Sequence, residues 1–183
     1  MPRYVAFLRA INVGGHVVKM DTLCALFTAM KFTGVESFLA SGNVVIQSKT
    51  ADDAALAARI ETKLREALGY EVSTFVRGDA EVAAIAAEIP FSPAAMQTAT
   101  SFCVAMLSQP LDRQSEQRLL ELSTEDDAFQ VRGREFYWLS RKKQSEAVIS
   151  NAVLERALGF RMTLRGMNTM RRLAAKYPCG IEK

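Results

Sequence analysis

The stretch Ala67-Leu68-Gly69-Tyr70 recurs in the second half of the chain as Ala157-Leu158-Gly159-Phe160. In both copies, apolar residues at helical spacing precede the glycine, and a short β-rich run follows it. Arg77-Gly78 corresponds in the same way to Arg165-Gly166, and each is followed by two alanines and a proline. An internal repeat of this kind predicts two copies of one structural unit.

The order of elements in each half is strand, helix, strand, strand, helix, strand, and one further helix. In the first half the pattern starts with the apolar run Tyr4–Leu8 and ends with an alanine-rich helix over Ala80–Glu88. In the second half it starts at Ser101–Leu107 and ends with a helix over Thr169–Lys176. We predict an α+β fold of two ferredoxin-like (βαββαβ) plaits in tandem, each with an appended helix. The alternative is a single eight-stranded α+β sheet formed by fusing the two halves.

The segment Ile89-Pro90-Phe91-Ser92-Pro93 separates the two halves. Its two prolines, with small polar residues after them, are typical of a linker. We therefore predict an N-terminal α/β plait over residues 1–92 and a C-terminal α/β plait over residues 93–183.

The composition is that of a globular protein, since 49% of the 183 residues are hydrophobic and 23% are charged. A net charge of +3 is weaker than nucleic-acid binders usually carry. Cys24, Cys103 and Cys179 form neither a disulfide framework nor a CxxC metal pair. With no signal peptide and no membrane-spanning stretch in the sequence, we expect a cytoplasmic protein without a membrane partner.

The first predicted strand leads into residues 9–19, Arg9-Ala10-Ile11-Asn12-Val13-Gly14-Gly15-His16-Val17-Val18-Lys19, which we call the glycine loop. Two adjacent glycines allow positive φ and leave no side chain between the backbone and a ligand. Arg9, Asn12 and Lys19 add donors and positive charge, so the loop suits a small anion. A tight strand-to-helix turn that needs glycine is the alternative.

A right-handed crossover makes the first two strands of each half run parallel, so their carboxyl ends share one edge. The glycine loop is therefore expected beside the hairpin turn Ser41-Gly42-Asn43, between predicted strands Val35–Ala40 and Val44–Gln47. Two polar loops that are merely neighbours would give the same pattern. The predicted ligand-binding residues are Arg9, Asn12, Gly14, Gly15, Lys19, Ser41, Gly42 and Asn43.

The same argument predicts a second polar cluster in the C-terminal half, at the N-termini of a helix over Glu146–Leu158 and of the closing helix. Ordinary helix capping by Ser145, Asn168 or Thr169 explains these residues as well. The basic run Arg141-Lys142-Lys143 beside them is typical of a solvated edge. The members of the second cluster are Ser145, Asn151, Arg165, Asn168 and Thr169.

The sequence contains no recognisable catalytic, metal-binding or cofactor motif. His16 is the single histidine, no cluster of His, Cys or carboxylates has metal-ligand spacing, and GxxxxGK[ST] and GxGxxG are absent. We therefore predict no cofactor and no metal, and leave open whether the protein is an enzyme. The run Arg132–Trp138 distantly resembles an RNA-binding strand, but core packing explains Phe136 and Trp138 better.

Three stretches resemble the signatures of domain-of-unknown-function family 1697. They are Arg9–Gly15 with Lys19-Met20 after it, Ser41-Gly42-Asn43-Val44, and Arg165-Gly166-Met167-Asn168-Thr169. This chain has Ala10 where family members usually have glycine, and Ser145–Asn151 keeps only loosely their Ser-Lys-x-Thr-Asn motif. The resemblance implies a two-plait α+β fold in a cytosolic bacterial protein, and it implies no reaction.

The function predicted from the sequence is binding of a small anionic ligand, phosphate- or nucleotide-like, at the glycine loop. The alternative is an RNA-binding or protein-interaction module that uses its sheet faces and basic edges. The sequence predicts no oligomeric state.

Overall fold

A computed structural model of the chain describes residues 1–12, 15–143 and 149–180. Within these ranges the fold is mixed α+β, with eight strands and seven helices. In chain order these are β1 (Arg3–Leu8), α1 (Met20–Ala29), β2 (Thr33–Ser37), β3 (Asn43–Gln47), α2 (Asp53–Leu68), β4 (Thr74–Gly78), α3 (Asp79–Ala87), α4 (Pro93–Thr98), β5 (Ser101–Met106), α5 (Arg113–Glu121), β6 (Asp127–Arg132), β7 (Glu135–Ser140), α6 (Asn151–Leu158), β8 (Thr163–Gly166) and α7 (Met167–Lys176).

The strands form two four-stranded sheets with the orders β2-β3-β1-β4 and β6-β7-β5-β8. Every neighbouring pair for which the register is defined is antiparallel. The alternative of one eight-stranded sheet is therefore wrong. Because β1 and β2 are both antiparallel to β3, they run parallel to each other, which confirms the predicted strand directions.

One face of the first sheet packs against α1 and α2. Alternate residues of β1, among them Tyr4, Ala6 and Leu8, point to this side, as strand geometry requires. The two helices bring apolar residues at helical spacing to the same core, namely Leu23, Phe27, Leu56, Ile60 and Leu64. The carboxylate of Asp52 caps α2 by accepting from the N–H of Ala55 at 3.0 Å, and Gly69 ends the helix with φ +81°.

The second sheet has its own core against α5 and α6, and this core contains the aromatic pair of the RNA-like run. Phe136 is 0% exposed and Trp138 is 3% exposed. The Trp138 indole N–H donates to the buried Asp127 carboxylate at 2.8 Å. Core packing is therefore the role of this pair, and neither ring is available for stacking on a nucleobase.

The chain divides into two compact units, and the division passes through α3 and α7. Unit 1 is Met1–Ala84 together with the chain from Arg172 onward, and unit 2 is Ile85–Arg171. The sequence-based division at residues 92 and 93 assigns the C-terminal end to the second half instead. In the structure, an ion pair between Lys176 and Glu36 holds that end to β2 of unit 1.

The predicted linker after the first half leads directly into helix α4. The Ser92 hydroxyl accepts from the N–H of Ala95 at 3.3 Å, and Pro93 occupies the first position of α4. Serine followed by proline is a helix-start signal, but two prolines close together also indicate a linker.

None of the helices in the described part of the chain is long and apolar enough to cross a bilayer.

Replacing Gly42 with alanine tests how closely the glycine loop approaches the hairpin. A Cβ at Gly42 would lie 2.8 Å from Cγ2 of the buried Ile11, and Gly42 has φ +74°. We expect Gly42→Ala to lower the free energy of unfolding by about 2–4 kcal/mol, from strained φ and overpacking together. The measurement is urea unfolding followed by circular dichroism.

Gly69→Ala is the matched control, because Gly69 has φ +81° but open space around its Cβ position. It should lower the free energy of unfolding by only about 1 kcal/mol, the cost of a left-handed alanine. Equal losses in the two variants would contradict a close contact between Ile11 and Gly42.

Candidate functional site

The glycine loop leaves β1 between two fixed neighbours. The Leu8 N–H donates to the Gly42 carbonyl at 2.8 Å, and the Arg9 N–H donates to the Ser73 carbonyl at 2.8 Å. The hairpin turn and the residues before β4 thus hold the start of the loop from both sides. The predicted neighbourhood of loop and hairpin is confirmed by the close approach of Ile11 in the loop to Gly42 in the hairpin.

The next residues turn the loop back over the core. Ala10 has φ +56°, in the left-handed region that favours glycine. Ile11 is 3% exposed, and its carbonyl accepts from the Tyr70 hydroxyl at 3.1 Å. The loop therefore has a defined path at its start, set by one strained residue, one buried side chain and one tyrosine.

Asn12 closes the loop on itself. Its Oδ1 accepts from the N–H of Val18 at 2.7 Å, and Val18 is buried. This bond joins the two ends of the exposed segment and occupies the amide oxygen that the sequence suggested for a ligand. Gly14, another predicted ligand residue, lies outside the described residues, as does Val13.

The exposed part of the loop carries one aromatic contact. The His16 ring stacks on Tyr70 with centroids 3.9 Å apart and planes at 21°. Gly15 has φ +86°, and a Cβ added there would meet nothing within 4 Å. The backbone at Gly15 is therefore open to an approaching ligand. In the hairpin, by contrast, the side chain of Ile11 occupies the space beside Gly42.

The loop ends at Lys19, which occupies the N-cap position of α1. This cap makes no side-chain hydrogen bond to the helix. In contrast, α2, α5 and α6 are capped by Asp52, Asp112 and Ser150. The free N–H groups at the start of α1 therefore combine with an exposed lysine, and together they favour an anion.

On the hairpin side of the site, the side chain of Asn43 is engaged in hydrogen bonds within the hairpin itself. Asn43 is 0% exposed, and its Nδ2 donates to the Phe38 carbonyl at 2.9 Å and to the Ser41 hydroxyl at 2.8 Å. Leu39 takes φ +60° in the same turn, so β2 ends at Ser37 rather than at the predicted Ala40. Asn43 thus shapes the turn that receives the loop.

The second cluster lies where β7 and β8 end on either side of β5. Ser140 is opposite Ser101, and Gly166 is opposite Cys103, in the two antiparallel registers. The adjacency that the topology predicts therefore exists. Ser145 lies outside the described residues.

The helix starts in the second cluster differ from the prediction. Helix α6 begins at Asn151 rather than Glu146, and the Ser150 hydroxyl caps it by accepting from the N–H of Val153 at 3.3 Å. Helix α7 begins at Met167, so Asn168 and Thr169 lie inside its first turn and do not occupy the cap position. The capping roles expected of Asn168 and Thr169 are therefore wrong.

Arg165 of the second cluster is buried in its own strand. Its Nη1 donates to the Thr163 hydroxyl at 2.7 Å and to the Leu164 carbonyl at 2.8 Å. Burial lowers the pKa of Arg165 to about 10. The matching residue of the repeat, Arg77, is 1% exposed and donates to the Val76 carbonyl at 2.8 Å. Two corresponding buried arginines are a feature that the repeated Arg-Gly pair signalled and that our sequence reasoning did not use.

The basic run after β7 is exposed, as expected of a solvated edge. The Lys142 ammonium pairs with the Asp126 carboxylate at 2.6 Å, and both side chains are partly solvated. The hydrogen bond that Lys142 donates to Asp126 is the largest cause of the raised pKa of Lys142, and the negative charges of Asp126 and Asp127 raise it further. Within residues 1–12, 15–143 and 149–180, no group of three or more His, Cys, Asp or Glu side chains could hold a metal ion.

Comparisons with known proteins agree with this fold. The model of a family described as "Protein of unknown function (DUF1697)" matches residues 1–137. The conserved bacterial protein SP0830 from Streptococcus pneumoniae has a similar structure, with a TM-score of 0.74, 21% sequence identity, and coverage of 96% of this chain and 98% of that one. At this identity the likeness shows the fold alone. No curated protein matches the chain.

Replacing Ala10 with glycine tests whether the loop stores strain at its first turn. Glycine removes the steric cost of φ +56°, about 1–2 kcal/mol, but adds roughly 0.5–1 kcal/mol of unfolded-state entropy. We expect Ala10→Gly to raise the free energy of unfolding by about 0.5–1 kcal/mol in urea titrations.

Ala58→Gly is the control with the opposite sign, since Ala58 is exposed within α2. It should lower the free energy of unfolding by about 1 kcal/mol. If Ala10→Gly destabilises the protein as Ala58→Gly does, Ala10 is not strained.

Proposed function

We propose that this chain, which belongs to the DUF1697 family, binds a small anionic ligand at the glycine loop. The ligand class is phosphate or a nucleotide-like phosphate ester. Arg9 and Lys19 supply the positive charge, and the first turn of α1 supplies backbone N–H donors.

The observation that carries the proposal is the start of α1. The first N–H groups of a helix have no intrahelical partner, and a carboxylate or hydroxyl usually accepts from one of them. Lys19 stands at that position and cannot accept a hydrogen bond. An external anion is the acceptor that suits both the free N–H groups and the lysine. Asp21 in the first turn opposes the anion, and we expect the positive charge of Lys19 to offset it.

The remaining loop residues support the site by fixing its shape. Asn12 bonds Val18, and Tyr70 bonds the Ile11 carbonyl, so the loop is held before a ligand arrives. Such preorganisation reduces the ordering cost of binding. Gly15 leaves its backbone open, which allows an anion to approach closely.

We also propose that each half is a ferredoxin-like plait and that the two arose by internal duplication. The common strand order and the repeated Ala-Leu-Gly and Arg-Gly stretches support this proposal. A cytoplasmic location is part of the same proposal, because all three cysteines are free thiols. We assign no reaction to the loop.

Titration calorimetry with inorganic phosphate and with adenosine monophosphate at low salt tests the anion site. We expect Lys19→Ala to weaken binding by about tenfold, as loss of a charged hydrogen bond does. The affinity of the unaltered protein should fall as sodium chloride is added, because Lys19 is exposed and its field is screened.

Lys63→Ala is the control for the loss of one positive charge. Lys63 is exposed on α2, where it pairs with Glu66 at 2.7 Å. The proposal fails if neither probe binds the unaltered protein, or if Lys63→Ala weakens binding as much as Lys19→Ala does.

A further inference from the structure

The glycine loop carries an exposed ring that the anion site does not use. His16 is exposed, and its ring stacks on Tyr70 with centroids 3.9 Å apart and planes at 21°. Tyr70 therefore covers one face of the imidazole, and the other face is turned to solvent. Among the histidine and the aromatic residues, all of which lie in the described part of the chain, His16 alone is exposed.

Tyr70 supports the His16 ring from its inner side. The Tyr70 hydroxyl donates to the Ile11 carbonyl at 3.1 Å, and its ring packs against the core of unit 1. Burial raises the pKa of Tyr70, so the hydroxyl keeps its proton and remains a donor. Asn12 fixes the neighbouring backbone by accepting from the N–H of Val18. The His16 ring is thus oriented before a ligand arrives, which reduces the ordering cost of binding.

The sequence repeat indicates that this stack is not needed to build the fold. Phe160 stands in the second half where Tyr70 stands in the first, and it packs against the core of unit 2. Phe160 has no hydroxyl with which to bond a loop, and the second half contains no histidine. The core therefore requires only a ring at this position. The tyrosine hydroxyl and the stacked histidine are particular to the first half, where the glycine loop lies.

The residues on either side of His16 leave room for a flat molecule. A Cβ added at Gly15 would meet nothing within 4 Å. Val17 is 85% exposed, the highest fraction of any large hydrophobic side chain that the structure describes. Ligand sites combine apolar and aromatic surface with a few polar groups, and these three residues supply such a surface beside Lys19.

Lys19 is close enough for one small ligand to reach both the cation and the ring. It follows His16 by three positions, and three residues of extended chain span at most about 10–11 Å. A nucleotide carries a phosphate at one end and a flat base at the other, and nucleobases stack on histidine as on other aromatic side chains. One exposed ring accommodates one base, which favours a mononucleotide over a nucleic-acid strand with its successive stacked bases.

We propose that the ligand of the glycine loop is a nucleoside monophosphate whose base stacks on the exposed face of His16. This proposal rests on the anion site proposed above, which holds the phosphate near Lys19, and it defines the rest of the ligand. The His16–Tyr70 stack supports the base independently of the free N–H groups at the start of α1. Every nucleobase has a flat aromatic face, so the stack recognises a base without selecting one of them.

Titration calorimetry at low salt with adenosine monophosphate (AMP) and ribose-5-phosphate tests the proposal. The two ligands carry the same phosphate on the same sugar, so the difference between their affinities reports the contribution of the base. We expect the unaltered protein to bind AMP about tenfold more tightly than ribose-5-phosphate, as one stacked base provides.

Three variants separate the base from the phosphate. His16→Ala should weaken AMP binding by about tenfold and leave the affinity for ribose-5-phosphate unchanged. His16→Phe keeps a flat ring without the imidazole nitrogens, so it should keep the preference for AMP. Lys19→Ala is the matched control, because it should weaken both ligands equally and leave their ratio unchanged.

The outcomes distinguish failure of the stacking site from failure of the anion site. Equal affinities for AMP and ribose-5-phosphate, both weakened by Lys19→Ala, would overturn the stacking proposal and leave the anion site in place. A preference for AMP that survives His16→Ala, or that is lost in His16→Phe, would overturn it as well. If neither ligand binds, both proposals fail. If the preference depends on His16 but neither ligand responds to Lys19→Ala, the stacked base stands and the anion site fails.

Discussion

The placement of β1 between β3 and β4 is the constraint on which the candidate site depends. Two backbone bonds at the end of β1, from Leu8 to Gly42 and from Arg9 to Ser73, decide where the glycine loop begins. Once the strand ends there, the buried Ile11 must fit against Gly42, and the chain can reach α1 only by turning back. Ala10 makes this turn by adopting a positive φ, in the left-handed region. The position of Lys19 at the start of α1 follows from this path.

Polar side chains around the loop serve two different purposes. Asn12 and Asn43 use their amides to close turns, and in doing so they satisfy backbone groups that would otherwise be unpaired. Arg165 in the second sheet is likewise engaged by its neighbours. Lys19 is exposed at a helix start and has no such structural bond to its own helix.

Most helices and strands could be predicted from local sequence patterns, because capping, turn formation and hydrophobic periodicity act between residues close in sequence. The capping carboxylate of Asp52 and the glycine after α2 act within a few residues, and the structure confirms both ends of that helix. The sequence does not predict helix α4, because the two prolines indicate a break, although Ser92 and Pro93 together start a helix. The predicted start of α6 differs from the observed one because several polar residues before it are suitable caps, and only the folded backbone selects Ser150.

The sequence by itself determined that two halves share one order of strands and helices, and it determined the edge at which the glycine loop meets the hairpin. These follow from hydrophobic periodicity, from glycine and proline positions and from the handedness of strand connections. Only the tertiary structure decided which polar groups are already bonded, and that the chain from Arg172 onward belongs with unit 1. The reason is that a side chain's partner, such as Glu36 for Lys176, lies far away in sequence, and only folding brings the two together.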